Sequence, residues 1–154
     1  MHNSPIKKDA TMDNTKAVNN EREIPDVLTA LAGIQEVMDG HGLDRTIHHL
    51  VQLRASQINR CGYCVKMHTR EAREDGETNE RLDRVIVWDH GSDFSEAEKA
   101  ALAWTEALTT LDPHIDRGAL RARLRQSFSD EQIAALTATI AMINLWNRIA
   151  ISGH

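Results

Sequence analysis

From Phe128 to Ser152 the chain carries two helix-starting devices, then a stretch that is apolar nearly all round. Ser129 and Gln132 have capping-box spacing, and Phe128 and Ile133 flank them as a hydrophobic staple. Ile133, Ala134, Ala135, Leu136, Ala138, Ile140, Ala141, Met142, Ile143, Leu145, Trp146 and Ile149 then leave no broad polar face. Such a helix belongs at the centre of a bundle or at an interface. Its length approaches a membrane span. However, Asn144, Asn147 and Arg148 would be costly in lipid, and both starting devices suit a water-facing helix end. No stretch alternates strictly with period two, and no hairpin signal is present. The chain therefore reads as all-α.

Residues 1–22 are polar and without periodicity, and are expected to form a disordered N-terminal arm. Residues 23–154 then form one domain, large enough for a real core. Val27, Leu28, Leu31, Ile34, Val37 and Met38 recur at helical spacing up to Gly40. Asp44 can cap the next helix, whose inner side carries Ile47, Leu50, Val51, Arg54 and Ile58. Arg54 must then either snorkel or pair with a buried acid. Leu82, Val85 and Ile86 mark a short helix that breaks at Gly91, and Ser95 with Glu98 forms a second capping box. The helix it opens stops before Pro113, and Leu120 and Leu124 mark another. The count is about seven or eight helices.

The two cysteines, Cys61 and Cys64, form a C-x-x-C, with His68 four residues beyond. A helix from about Cys61 to Gly76 puts the three at i, i+3 and i+7, on one face. Asn59 is a suitable N-cap just before the pair. A cysteine in a first helical turn is favoured as thiolate by unpaired N–H groups and the helix dipole. Met67, Thr69 and Glu71 are expected to point elsewhere, and Ala72 lets another helix approach.

Net charge −5 argues against nucleic acid or an anionic membrane as the main partner. Arg117, Arg121 and Arg125 read as a solvated helix face. No apolar segment follows the N-terminus, so the expected location is cytoplasmic. Two cysteines three apart in a reducing compartment read as a reactive or metal-binding pair rather than a staple. A thioredoxin-type motif would need a βαβ pattern, which is missing. Cys61, Cys64, His68 and His49 could make a Cys2His2 zinc set, and a peroxidatic pair would need a base. His48 reads as a packing or solvated residue. His41, His90, His114 and His154 lie near loops or the terminus, while Trp104 and Trp146 read as core or interface aromatics. The Tyr63 hydroxyl could line a substrate entrance.

The run LVQLRASQINRCGYCVKMHTREAR, with Gly76 and the later INLWNRIAIS, resembles the alkylhydroperoxidase D (AhpD)-like branch of the carboxymuconolactone decarboxylase family. The resemblance spans roughly residues 25–152. It implies an all-helical AhpD-like bundle and a homo-oligomer, with a hexamer built as a trimer of dimers expected here. In the peroxidase members the second cysteine attacks the peroxide and the first closes the disulfide, which gives these roles to Cys64 and Cys61. His68 matches the histidine after the pair. The relay glutamate normally lies twelve residues before the first cysteine, where this chain has His49. Along the sequence no acid replaces it, since Asp44 is five residues away and Glu71 lies beyond the pair. The implied activity is a thiol-dependent, peroxidase-like antioxidant cycle. Its partners are a hydroperoxide and a dithiol electron donor, no cofactor is called for, and His49 stands in the relay place. The alternative is a non-catalytic or metal-binding oligomer, or a redox sensor. Decarboxylase members generally lack the cysteine pair.

Overall fold

The computed structural model describes residues 14–153. Among them are eight α-helices, one 3-10 helix and no strand, as expected for an all-α chain. Helix α1 (Asn20–Glu23) is a single turn, and α2 (Pro25–Asp39) starts on its proline and ends at Gly40. Asp44 caps α3 (Arg45–Ile58) by accepting from the N–H groups of Thr46 and Ile47. After α4 (Gly62–Glu74) and α5 (Asn79–Arg84) comes a 3-10 helix (Val85–His90), irregular at Val87, where one continuous short helix was expected. Both predicted capping boxes are formed. They open α6 (Glu96–Thr110) and α8 (Asp130–Ser152), with α7 (Arg117–Leu124) between them. Of the expected arm, residues 1–13 lie outside the described residues, as does His154.

The hub is α3, which packs on α4, α6 and α8. One core cluster joins Ile47 and Val51 to Ala100, Ala101 and Trp104 of α6, Leu124 of α7, and Leu136 and Ile140 of α8. A second joins Leu50 and Leu53 to Ala72, Leu82, Val85, Trp88, Phe94 and Leu102. Arg54 takes the paired option: its guanidinium holds Glu106 of α6 at 2.8 Å, and the Trp88 indole N–H donates to the same carboxylate.

Helix α8 buries one face only, through Ala135, Leu136, Thr139, Ile140, Ile143 and Asn147. It is the single described helix long and apolar enough to cross a membrane. Its two asparagines are engaged inside the bundle instead. The Asn59 amide donates to both Asn144 and Asn147 at 2.9 Å, and Asn147, fully buried, donates to the Ser56 hydroxyl at 3.0 Å. The outer side of α8 and much of α2, including Val27, Ile34 and Val37, stay exposed in the single chain.

The turn from α3 into α4 sets up the cysteine pair. Asn59 is the C-cap of α3 rather than the N-cap of α4. Arg60 follows in the left-handed region (φ 57°), its N–H reaching the Gln57 carbonyl, while the Cys61 N–H reaches the Ser56 carbonyl. This is a Schellman ending built on a non-glycine residue, a conformation that costs about 1 kcal/mol. It leaves Cys61 as the N-cap of α4, with its sulfur accepting the Cys64 N–H at 3.3 Å.

Candidate active site

Cys61 and Cys64 are joined as a disulfide with their Cα atoms 5.3 Å apart. With His68 they form the buried face that the i, i+3, i+7 spacing predicts. Both cysteines are buried, and they differ in what they border. Cys64 lines an open cleft of about 1230 Å³ between α2, α3, α4 and α8, whereas Cys61 does not line it. His48, His49 and Gln52 of α3, Tyr63, Met67 and Glu71 of α4, and Ile143 and Trp146 of α8 also line the cleft. Tyr63 is mostly exposed on this lining.

Two histidines line the cleft with Cys64, each held by a carboxylate. His68 Nδ1 is 3.1 Å from Glu71 Oε2, one turn along the same helix. His49 Nε2 is 2.6 Å from Asp75 Oδ2, at the C-cap of α4. The opposite ring nitrogens, His49 Nδ1 and His68 Nε2, are buried and have no hydrogen-bond partner. A carboxylate accepting N–H at one ring nitrogen leaves the other as a proton acceptor. The site thus contains two buried ring nitrogens without a partner, on residues that line the cleft together with Cys64.

Two expectations need correction here. Glu71 and Met67 do not point elsewhere: Glu71, at i+3 from His68, reaches the ring, and Met67 lines the cleft with Cys64. Nor is the relay region without an acid, because Asp75 reaches His49 from 26 residues further along the chain. The spacing that joins Cys61, Cys64 and His68 continues to Asp75, seven residues beyond His68 and again on the same face, and that was the available signal. Among the described residues no group of three or more His, Cys, Asp or Glu is placed to hold a metal, so the Cys2His2 set is not assembled.

The charges follow from these contacts. Arg45, then His49, by hydrogen bonding, hold the Asp75 carboxyl below its usual range, so it is ionised at neutral pH. Burial pushes His68 below the ordinary imidazole range against the opposing pull of Glu71. It does the same to His48, helped by His49. A group whose folded pKa is depressed takes its proton more readily when unfolded. The stability it supports is therefore complete above the free imidazole value of about 6.5 and is lost as pH falls below it. The thermal midpoint is expected to be level above about pH 7.5 and to fall toward about pH 5.5, less steeply in His68→Gln. A midpoint flat across that range would contradict this account of the His68 and His48 rings.

This constellation on an all-helical bundle is that of an AhpD-like protein. The fold is shared with ATU0492 from Agrobacterium tumefaciens, a protein of unknown function considered a candidate antioxidant defence protein AhpD. The match has a TM-score of 0.81 and 35% identity over 88% of this chain and 93% of that one. A peroxidase-related protein from Ralstonia eutropha JMP134, with an alkylhydroperoxidase AhpD core, shares the fold at a TM-score of 0.74. It is 24% identical over 86% of this chain and 70% of its own. YdfG of Bacillus subtilis, itself uncharacterised, is 33% identical over 83% of this chain and 87% of its own length. Residues 25–107 match the carboxymuconolactone decarboxylase family, and the chain belongs to it.

Proposed function

We propose that this protein is a thiol-dependent peroxidase that reduces hydroperoxides through the Cys61–Cys64 pair. The observation that carries the reading is the pair of carboxylate-held histidines, each with a bare buried nitrogen, beside a cysteine that opens on a cleft. In the reduced protein, His49 takes the Cys64 proton through Nδ1, with His68 placed to orient the thiolate. The thiolate sulfur attacks the terminal peroxide oxygen, the O–O bond breaks, and the departing alkoxide takes the proton from the imidazolium and leaves as alcohol. Cys64 is then a sulfenic acid. The Cys61 thiol displaces its hydroxyl, which leaves as water, and the disulfide closes. A dithiol donor reduces it again by exchange. In sum, one hydroperoxide and one dithiol become alcohol, water and a disulfide. The need for a dithiol donor suits a cytoplasmic location.

The test is thiol counting on the reduced protein before and after one equivalent of organic hydroperoxide. Both thiols should disappear together. His49→Gln should slow the loss about 10²-fold or more, the scale of a general base, and the wild-type rate should fall as pH drops through the imidazole range. His49→Gln reacting as fast as wild type would remove His49 from the mechanism.

Assembly is part of the same reading. The exposed apolar residues of α2 and the open outer side of α8 suit a second copy of this chain, within a hexamer built as a trimer of dimers. Light scattering at micromolar concentration should give a species several times 17.3 kDa; a monomer there would reject the assembly.

A further inference from the structure

We propose that Asp75 is the positioning residue of the relay: it holds the Nε2 hydrogen of His49, leaves Nδ1 as the acceptor, and stabilises the imidazolium formed there. This rests on the peroxidase reading above for its chemistry but not for its geometry. Asp75 owes its place to the end of α4. Gly76 adopts φ +95°, the Glu77 N–H closes onto the Ala72 carbonyl at 2.9 Å, and Asp75 is left as the C-cap. Its Oδ2 accepts from His49 Nε2 at 2.6 Å and from Arg45 Nε. The His49 side chain is only 8% exposed, and with its other nitrogen lacking a partner, the contact with Asp75 is the one hydrogen bond that selects its tautomer.

The surroundings make the carboxylate necessary. His48, on the same helix, lies edge-on to His49 with ring centroids 5.8 Å apart, and Arg45 stands one turn earlier. From α4, His68 and Glu71 approach as a second pair. A proton placed on His49 therefore enters a site already holding one arginine and two other imidazoles, and Asp75 is the anion in direct contact with it. His49 and Asp75 also line a smaller polar cavity of about 290 Å³, together with Glu77, Arg81 and Glu98. The pair thus borders both the cleft that holds Cys64 and a polar cavity through which a proton can be exchanged. When His49 takes the Cys64 proton, Asp75 stays ionised and the imidazolium forms against it; when alkoxide leaves, the proton goes with it.

The experiment compares wild type with Asp75→Asn, which keeps the size of the side chain and removes its charge. In the reduced protein, Cys64 oxidation by an organic hydroperoxide should slow about tenfold or more in Asp75→Asn. The acid limb of its pH–rate profile should also move toward lower pH by about one unit, the effect of removing an adjacent opposite charge. A purely structural role would lower the rate without moving the limb. Adding Asp75→Asn to His49→Gln should cost nothing further. Nitrogen-15 spectra of the imidazoles give a readout independent of activity: His49 should carry its hydrogen on Nε2 in wild type and lose that preference in Asp75→Asn. An unmoved limb or an unchanged tautomer would overturn the assignment of Asp75. A wild type that consumes no peroxide while its His49 tautomer still depends on Asp75 would overturn the peroxidase reading and keep the positioning role.

Discussion

Cys64→Ser is expected to reduce peroxide consumption to that of buffer alone, whereas Cys61→Ser should react once and stop. Both outcomes follow from the placement of the two residues, since both are buried but Cys64 alone lines the cleft. Cys64 faces the cleft, in the first turn of α4, and lies one helical turn before His68. Cys61 caps the same helix, does not line the cleft, and donates its backbone N–H to the Ser56 carbonyl. A peroxide entering the cleft meets Cys64 first. In Cys61→Ser the resulting sulfenic acid has no neighbouring thiol, so a sulfenic-acid trap should label Cys64 stoichiometrically. Serine at position 61 keeps an oxygen able to cap α4, so the variant should fold. Label found on Cys61 in the Cys64→Ser protein would reverse the order of attack.

The sequence made the scaffold easy to read because helix boundaries are written in local chemistry. Ser95 with Glu98, Ser129 with Gln132, Asp44 and Pro25 all act within one turn, and each does what its spacing predicts. The buried face of Cys61, Cys64 and His68 was legible for the same reason. What escaped the reading mostly depends on backbone conformation or on tertiary folding. Glu71 is no such case: seven residues beyond Cys64 and three beyond His68, it shares their helix face, so the spacing itself puts it beside the ring. Asn59 looked like a cap for the following helix. It became the end of the preceding one because Arg60 accepts a left-handed conformation usually left to glycine. Asp75 meets His49 only because α3 and α4 pack side by side, with the end of α4 returning to the start of α3. The all-round apolar character of α8 is only half explained by burial within one chain, which is why it enters the assembly proposal.

Arg81→Met is expected to cost about 3 kcal/mol of stability, far more than loss of a surface ion pair. Arg81 of α5 grips Glu77 at 2.9 Å and Glu98 of α6 at 2.6 Å, and it also donates to the Asp93 carbonyl. Its guanidinium carbon lies 4.8 Å from the centroid of the Phe94 ring, which belongs to the second core cluster. The side chains of Glu77 and Glu98 are only 10% and 12% exposed. Methionine can fill the volume and keep the apolar contact with Phe94, but it cannot neutralise two nearly buried carboxylates. Breaking a buried pair from the cationic side costs about 3–5 kcal/mol because the remaining charge is stranded. The lower end applies because each acid keeps one backbone partner: Thr78 N–H for Glu77 and Ser95 N–H for Glu98. The loss should be visible as a lower denaturation midpoint with an unchanged slope. Adding Glu77→Gln to Arg81→Met should recover part of it by removing one stranded charge, although the same substitution alone should destabilise. A loss below about 1 kcal/mol would mean that water already reaches the network and that it behaves as a surface pair. Glu77 follows Gly76 and lines the small cavity with Asp75. The double variant therefore also asks whether the mount of Asp75 tolerates a loosened neighbour, read from the His49 tautomer in the same samples.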